Sequence, residues 1–483
     1  MTPSLAHTAA RGAFFTLLAQ IAKILLQLLS VVVLSRLLSP HDYGLLAIVL
    51  VVVGVGEIFR DFGLTSASIQ APHLSNGQRD NLFWINTAIG LVLTVILFFL
   101  SWPIQAITGE EEILGVVQCL SPLFLLNGLA TQHRANLSRE LKFRALAITE
   151  VTATALALAA GITAALLGAE YWALVTQQLV LGAAMLAGSV IAGRWLPGLP
   201  SRQHSIRSMV RFGWNIVATN MLIYAGSQID TVIIGLRFGT TSLGLYNRAY
   251  QLVMTPLGQV RAPMKGVALP VLSRVQEDRP RFDTYITSAQ LALGYALGIP
   301  LALLVGLAEP IVALMLGPQW GDAAPIVRCF SIAGLLTTLS YVGYWVYLSR
   351  GLGTQLFRYT IVTTLIKAAC IVAGSFFGLL GVAIAFAIAP AVAWPLSIAW
   401  LSRITPMPVR RLYTGAARVL LLAGAIALAS YAVNSTGLPS IATITLGILS
   451  GAVVVGLFLL LPVFRRDVRS LVSFMKLMLT RER

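Results

Sequence analysis

Stretches of about 20 apolar residues recur along almost the whole chain, with short polar interruptions between them. A helix needs roughly 20 apolar residues to cross a bilayer, so each stretch is long enough to span a membrane. Only 11% of the 483 residues are charged, whereas soluble domains average about 25%, which excludes a water-soluble fold. We therefore predict an all-α integral membrane protein with about fourteen transmembrane helices and no sizeable soluble domain. The predicted spans are residues 12–38, 43–68, 82–104, 113–136, 146–168, 171–193, 213–237, 243–270, 288–309, 323–348, 356–376, 379–401, 412–433 and 440–463.

Basic residues lie in every second connection between the predicted spans. Loops rich in Lys and Arg stay on the cytoplasmic side of a membrane. The opposite loops carry Asp42, Glu110–Glu112, Glu170 and Asp322, with Arg237 as the main exception. This alternation predicts that both termini are cytoplasmic, and it explains the net charge of +16 by topology without a nucleic-acid partner. The basic loops contain Arg79, Arg139, Lys142, Arg144, Arg194, Arg202, Arg207, Arg211, Arg274, Arg279, Arg281, Arg350, Arg403, Arg410 and Arg411.

Two basic amphipathic segments mark the domain organisation. The segments 201–212 and 465–483 each predict a helix lying on the membrane surface. A short repeat supports two lobes, because Arg36 precedes Tyr43-Gly44-Leu45 and Arg237 precedes Leu243-Gly244-Leu245. The predicted parts are an N-lobe at 1–200, a linker helix at 201–212, a C-lobe at 213–402, two last spans within 403–464 and a basic tail at 465–483.

Polar residues inside the predicted spans are the candidate functional residues, because a charge facing lipid is costly. The deep charges are more cationic than anionic, which suits a substrate that carries phosphate or diphosphate. The candidate cavity cations are Lys23, Arg60, Arg248, Arg261 and Lys367. Polar stripes at helical spacing add Gln20, Gln27, Asn220, Tyr224 and Gln259.

Three acidic residues in the spans are candidates for proton or sodium coupling: Glu57, Asp61 and Asp230. Glu57, Arg60 and Asp61 stand at i, i+3 and i+4, so they can also pair with one another as a structural cluster. Neither interpretation is favoured over the other by spacing. Charges near span ends are assigned no transport role, and these are Glu150, Glu309 and Arg418.

Several motifs resemble the Wzx-type polysaccharide flippases of the colanic acid and teichuronic acid exporter group. The resemblance runs from about residue 8 to about residue 400, and the last two spans carry no such motif. The motifs are Phe62-Gly63-Leu64-Thr65-Ser66-Ala67, Phe83-Trp84-Ile85-Asn86, Leu137-Ser138-Arg139-Glu140-Leu141-Lys142-Phe143, Leu243-Gly244-Leu245-Tyr246-Asn247-Arg248-Ala249-Tyr250, Leu269-Pro270-Val271-Leu272-Ser273-Arg274, Ala308-Glu309-Pro310 and Gly317-Pro318-Gln319-Trp320.

This resemblance implies a member of the multidrug, oligosaccharidyl-lipid and polysaccharide exporter superfamily, with two six-helix lobes in a V around a central cavity. Its implied function is to move undecaprenyl-diphosphate-linked oligosaccharide repeat units from the cytoplasmic to the periplasmic leaflet of a bacterial inner membrane by alternating access. The implied partners are this lipid-linked substrate, membrane lipids, and a polymerase and chain-length regulator of the same pathway. No cofactor is expected apart from a coupling proton or sodium ion.

Two alternatives remain open at this point. A drug exporter of the same superfamily would share the architecture and would couple to cations through buried carboxylates such as Asp61 and Asp230. A cationic cavity disfavours cationic drugs. A membrane-embedded polymerase or glycosyltransferase would need catalytic groups on a large outer loop, but the outer loops are short except near 310–322. The acidic run Glu110–Glu112 is interpreted as a solvated loop, and we predict no enzyme activity.

Overall fold

The computed structural model describes residues 5–61, 75–200 and 207–479 of the chain, and these form helices joined by short loops. The motif beginning at Phe62, residues 201–206 of the predicted linker helix and the last four residues lie outside the described part. The helices are α1 (Leu5–Leu37), α2 (Pro40–Asp61), α3 (Asn76–Thr108), α4 (Glu112–Leu120), α5 (Leu123–Arg139), α6 (Phe143–Leu166), α7 (Tyr171–Gly193), α8 (Arg207–Arg274), α9 (Arg279–Gly306), α10 (Ala308–Met315), the 3-10 helix Pro318–Ala323, α11 (Ala324–Ser349), α12 (Gly353–Ser375), α13 (Gly378–Ile404), α14 (Val409–Asn434), α15 (Ser440–Leu460) and α16 (Pro462–Leu479).

Eleven segments within the described residues are long and apolar enough to cross a membrane. One of them, Gly353–Ile404, contains both α12 and α13, which match the eleventh and twelfth predicted spans. The all-α membrane fold class is therefore confirmed, whereas the total of about fourteen spans stays a prediction. The helices follow from the apolar stretches because a backbone in lipid must satisfy its own hydrogen bonds.

The fourth predicted span is not one uninterrupted helix. It consists of α4 and α5, separated at Ser121 and Pro122. Proline has no backbone N–H and cannot continue the hydrogen-bond ladder of a helix interior. The amide of Phe124 instead donates to the carbonyl of Ser121 at 3.2 Å, which restarts the helix directly after the break.

Helix α8 covers the seventh and eighth predicted spans and changes direction between them. Gly239 has φ 77° and ψ 179°, a backbone conformation that residues other than glycine rarely adopt. The bend lies between the two spans, where the sequence predicts a connection. Residues 207–212 were predicted to belong to a separate surface helix, but they are continuous with α8.

Contacts divide the chain into two compact units, Met1–Asn247 and Arg248–Arg483. The predicted boundary between lobes lies earlier, at 201–212. The difference arises because the first arm of α8 packs within the first unit, where the Tyr224 hydroxyl donates to the carbonyl of Val51 at 3.1 Å. The five-part domain organisation stays a prediction.

Each unit is built from helices that pack lengthwise. In the first unit, α6 packs along α7 and α1, and α3 packs along α5. In the second unit, α9 packs along α14 and α11, while α13 packs along α11 and α12. A buried cluster on α9, α11 and α13 forms part of the second core and includes Phe282, Ile286, Val346, Tyr347 and Leu401. Such packing of complementary surfaces is the main source of helix association in lipid.

Candidate functional site

A cluster of three charged side chains lies inside the first unit and includes the predicted cavity cation Lys23. The Lys23 amine is 2.7 Å from a carboxylate oxygen of Glu150, and a guanidinium nitrogen of Arg134 is 3.3 Å from its other oxygen. The three residues stand on α1, α6 and α5. The side chains of Lys23 and Glu150 are 28% and 27% exposed, whereas that of Arg134 is 45% exposed. Two cations therefore share one carboxylate, and the cluster carries a net positive charge.

The sequence interpretation missed two members of this cluster. Glu150 was predicted to have no transport role because it is near a span end, and Arg134 is not among the predicted cavity cations. The sequence does contain a signal for this cluster, because Lys23, Arg134 and Glu150 place opposite charges on three different predicted spans. Gln20 and Gln27 stand on α1 about one turn to either side of Lys23, as expected, with Gln20 half-buried and Gln27 exposed.

A second cluster joins α2 to α5. Arg60 Nε lies 2.6 Å from a carboxylate oxygen of Glu57, which confirms the pairing predicted from their spacing. The side-chain amide of Asn127 donates to the other oxygen of Glu57 at 2.8 Å, and Arg60 also donates to the hydroxyl of Thr131. Because the charges balance and the polar atoms are paired, the geometry favours a structural role for Glu57 and Arg60. The side chain of Asp61 lies outside the described part of the structure.

The two arms of α8 are joined by a buried hydrogen bond. The hydroxyl of Tyr246 donates to a carboxylate oxygen of Asp230 at 2.7 Å, and both side chains are 2% exposed. Asp230 was predicted as a coupling carboxylate, and the tyrosine partner was not anticipated. Tyr224 is half-buried against α2, whereas Asn220 is exposed, so the predicted polar stripe of this arm does not face one common environment.

Two predicted cations lie on the arm of α8 that follows the bend. Arg248 is 3% exposed and donates to the side-chain oxygen of Gln251 at 2.5 Å. Arg261 is 8% exposed, donates to the carbonyl of Leu257 at 3.2 Å and lies 5.7 Å from the ring centre of Tyr341. Gln259 is half-buried between them along the helix. Arg261 therefore packs against α11 of the second unit.

Lys367 lines an open pocket of about 250 Å³ in the second unit. Its amine lies 4.9 Å from the ring centre of Phe386. The hydroxyl-bearing residues Thr337, Thr363 and Thr364 also line this pocket. An ammonium group beside hydroxyl groups suits an anionic or hydroxyl-rich ligand group. The predicted cations are thus distributed over several local sites within the two units.

Comparison with known proteins places these features in context. A family model described as polysaccharide biosynthesis protein matches residues 33–325. The lipopolysaccharide biosynthesis protein WzxC of Escherichia coli (strain K12) is 25% identical in an alignment of 393 residues that covers 79% of this chain and 78% of that protein. The succinoglycan biosynthesis transport protein ExoT of Rhizobium meliloti (strain 1021) is 26% identical in an alignment of 391 residues that covers 78% of this chain and 77% of that protein.

A solved structure has the same fold. The lipid II flippase MurJ in an inward closed conformation superposes with a TM-score of 0.67 over 93% of this chain and 99% of that one. The sequence identity is 15%, so this likeness concerns the fold alone.

Proposed function

The chain belongs to the family of polysaccharide biosynthesis proteins, and from that premise we propose that it is a flippase for lipid-linked oligosaccharides. Its substrate in this proposal is an oligosaccharide repeat unit on undecaprenyl diphosphate, which it moves from the cytoplasmic to the periplasmic leaflet. The relatives named for lipopolysaccharide biosynthesis and succinoglycan transport support this assignment, and the MurJ-like fold is compatible with it.

The observation that carries the proposal is the cluster of Lys23, Arg134 and Glu150. Its net positive charge lies between helices of a membrane protein, where an isolated cation is costly. A diphosphate would offset the net positive charge of the cluster by adding anionic oxygens beside two cations that share one carboxylate. The carboxylate keeps both cations in place when no substrate is bound, so the cluster is organised in advance of binding.

The remaining steps of the proposed transport cycle follow from the chemistry of the lipid-linked substrate. The headgroup is highly polar and must avoid the hydrocarbon, while the undecaprenyl chain stays in the lipid throughout. We assign the headgroup to protein-lined polar space that opens to one side of the membrane at a time. Proton or sodium coupling through Asp230 or Asp61 would reset the cycle, since Glu57 is already paired with Arg60.

Several finer assignments belong to the same proposal. The protein is placed in a bacterial inner membrane with both termini in the cytoplasm, as the basic loops predict. A polymerase and a chain-length regulator would act on the exported repeat units. The protein itself is expected to catalyse no bond formation.

The direct test uses the purified full-length chain in liposomes. The probe is an undecaprenyl-diphosphate-linked oligosaccharide with a fluorescent sugar, and an impermeant quencher reports which leaflet holds it. We expect the protein to transfer the probe between leaflets, with the rate depending on an imposed proton or sodium gradient. Transfer no faster than in protein-free liposomes under every gradient would contradict the proposal. New glycosidic bonds detected by mass spectrometry would instead identify an enzyme.

The contribution of cations is tested by combining Lys23→Gln with Arg248→Gln. We expect this double variant to lose transfer while still inserting into the membrane in normal amounts. Lys142→Gln is the matched control, because Lys142 is 46% exposed in a loop and pairs with Glu140. Undiminished transfer by the double variant would refute the assignment of these cations to substrate binding.

A further inference from the structure

Three segments that the sequence places outside the membrane meet within the first unit. His41 stands in the first turn of α2, Glu110 lies in the loop after α3, and Glu112 begins α4. Thr240 directly follows the bend of α8 at Gly239. Glu110–Glu112 were predicted to form a solvated loop, but Glu110 is half-buried and contacts other segments.

A chain of hydrogen bonds orients the His41 ring. The hydroxyl of Thr240 donates to a carboxylate oxygen of Glu110 at 2.8 Å, and His41 Nδ1 lies 2.8 Å from the same hydroxyl oxygen. A hydroxyl has one proton, so the Thr240 oxygen accepts from His41, and Nδ1 carries the hydrogen. In the neutral ring the lone pair is then on Nε2. Metal-binding histidines have this arrangement, in which the second ring nitrogen donates to a protein oxygen.

Close backbone contact fixes the segments around this hydrogen-bond chain. A Cβ atom on Gly44 would lie 1.8 Å from the carbonyl oxygen of Thr240, and one on Gly244 would lie 1.8 Å from that of Pro40. The two copies of the short sequence repeat therefore contact each other directly, each through its glycine. Because only glycine permits this approach, the backbone beside His41 and Thr240 has little freedom to shift.

We propose that His41, Glu110 and Glu112 bind one divalent transition-metal ion of the Zn²⁺ class. One potential ligand atom from each residue lies within 4.8 Å of the other two. Zinc–nitrogen and zinc–oxygen bonds are about 2.0–2.2 Å long, so the side chains of His41, Glu110 and Glu112 would rotate to bring His41 Nε2 and the two carboxylates closer together around one ion. The two carboxylates offset the charge of the ion.

The ligand set distinguishes among cations. An imidazole with two carboxylates suits Zn²⁺, whereas Ca²⁺ and Mg²⁺ prefer sets made of oxygen atoms. Three protein ligands leave a coordination position for water. The bound ion would join α2 to the start of α4, and Thr240 would extend this connection to α8. Metal binding is therefore expected to raise the thermal stability of the substrate-free protein.

The test measures Zn²⁺ binding by calorimetry on the full-length chain in detergent, after chelator treatment and removal of any affinity tag. We expect one saturable Zn²⁺ site per chain and an increase in the melting temperature. His41→Gln and Glu112→Gln should each weaken binding by at least about 100-fold, since each removes a ligand of the ion. Glu111→Gln is the matched control, because it removes the same charge from the adjacent position and should bind like the wild type.

The binding measurements distinguish a specific Zn²⁺ site from diffuse attraction of cations to the acidic run, and they do not depend on the transport function. Wild-type affinity in His41→Gln and Glu112→Gln would overturn the site, and so would an equal loss in Glu111→Gln, which would indicate diffuse attraction to the acidic run. Binding only at millimolar Zn²⁺ would also overturn it. Glu110→Gln provides a further variant if one of the others does not elute as a single species. No substrate is present, so failure of the flippase proposal would leave this result unaffected.

Discussion

At the scale of single residues, the charges inside the spans differ in how completely they are neutralised. Arg60 and Glu57 pair one to one, with amide and hydroxyl groups around them. Lys23 and Arg134 share Glu150. A balanced pair stabilises the contact of two helices, whereas an excess cation attracts an anionic ligand. This distinction, and not the presence of a charge, separates structural from substrate-binding candidates.

Replacing Glu150 by Gln should destabilise the protein more than replacing Lys23 by Gln. The first change leaves two cations close together, whereas the second leaves Glu150 paired with Arg134. We expect Glu150→Gln to lower the free energy of unfolding by about 1–3 kcal/mol, below the value for a fully buried pair because the site is part-exposed. Combining Lys23→Gln with Glu150→Gln should recover part of this loss, because only one cation then remains in the cluster. Thermal unfolding in detergent measures the effect, and an equal loss in both single variants would contradict the shared-carboxylate arrangement.

Glu140 supplies a pH dependence outside the membrane. A hydrogen bond from Lys142 is the main cause that lowers the pKa of Glu140 below its ordinary 4.5, and the amide of Asn136 adds to it. Since the folded-state pKa is the lower one, this interaction stabilises the protein above pH 4.5 and is lost as the pH falls through the folded-state pKa. Glu140→Gln should therefore cost less than about 1 kcal/mol at pH 7, and the difference from wild type should disappear at an acidic pH below the folded-state pKa of Glu140. Unfolding curves at both pH values measure it, and a difference that grows on acidification would refute the sign.

At the scale of elements, the C-terminal tail is attached to the helices before it. The tail was predicted to be a basic surface helix, and α16 is helical from Pro462 to Leu479. Asp467 accepts from Arg418 on α14 at 2.7 Å and from Tyr295 on α9 at 2.8 Å. Arg418 was predicted to have no transport role, as a charge near a span end. The observed contacts give it a role in holding the tail helix.

Asp467→Asn should loosen α16 from α9 and α14. The Asp467 side chain is 8% exposed, so its replacement leaves the Arg418 guanidinium without its carboxylate at a half-buried position. We expect a loss of about 1–3 kcal/mol and faster proteolysis of the tail. Asp322→Asn is the control, since Asp322 is exposed and should change stability by less than about 0.5 kcal/mol. Equal melting temperatures for both variants would show that the attachment contributes nothing.

At the scale of the whole molecule, the alternation of basic and acidic loops predicts the orientation in the membrane. Glu111 belongs to a loop predicted outside, and Ser402 lies at the end of α13 in a loop predicted inside. Both residues are exposed. Orientation sets which side admits substrate and which side reaches the proposed metal site, so it bears on every functional assignment.

Single cysteines at these two positions test the orientation. In a chain whose three native cysteines are replaced by alanine, Glu111→Cys should react with an impermeant maleimide added to intact spheroplasts. Ser402→Cys should react only in inverted membrane vesicles, because its loop carries the positive charge that is retained in the cytoplasm. The reverse labelling pattern would invert the topology.

The sequence by itself determined the helices and their fold class. Apolar length is a local property, and a backbone in lipid can satisfy its hydrogen bonds only within a helix. Most predicted spans therefore match single helices, whereas the fourth is divided into α4 and α5 and the seventh and eighth are continuous in α8. Whether a proline ends a helix was less predictable from the sequence. Pro122 separates two helices, whereas Pro300 and Pro390 lie inside α9 and α13. Neighbouring helices in a bundle can compensate for the lost backbone bond, and a single sequence does not reveal where they do so.

Only the tertiary structure decided which polar residues meet. Lys23 and Glu150 are 127 positions apart, and His41 and Thr240 are 199 positions apart. Their contacts depend on the rotation and axial offset of packed helices, which are set by side-chain packing between spans and not by the periodicity within one span. The sequence therefore identified Lys23 as unusual, but its carboxylate partner and the His41–Thr240–Glu110 chain emerged only from the fold.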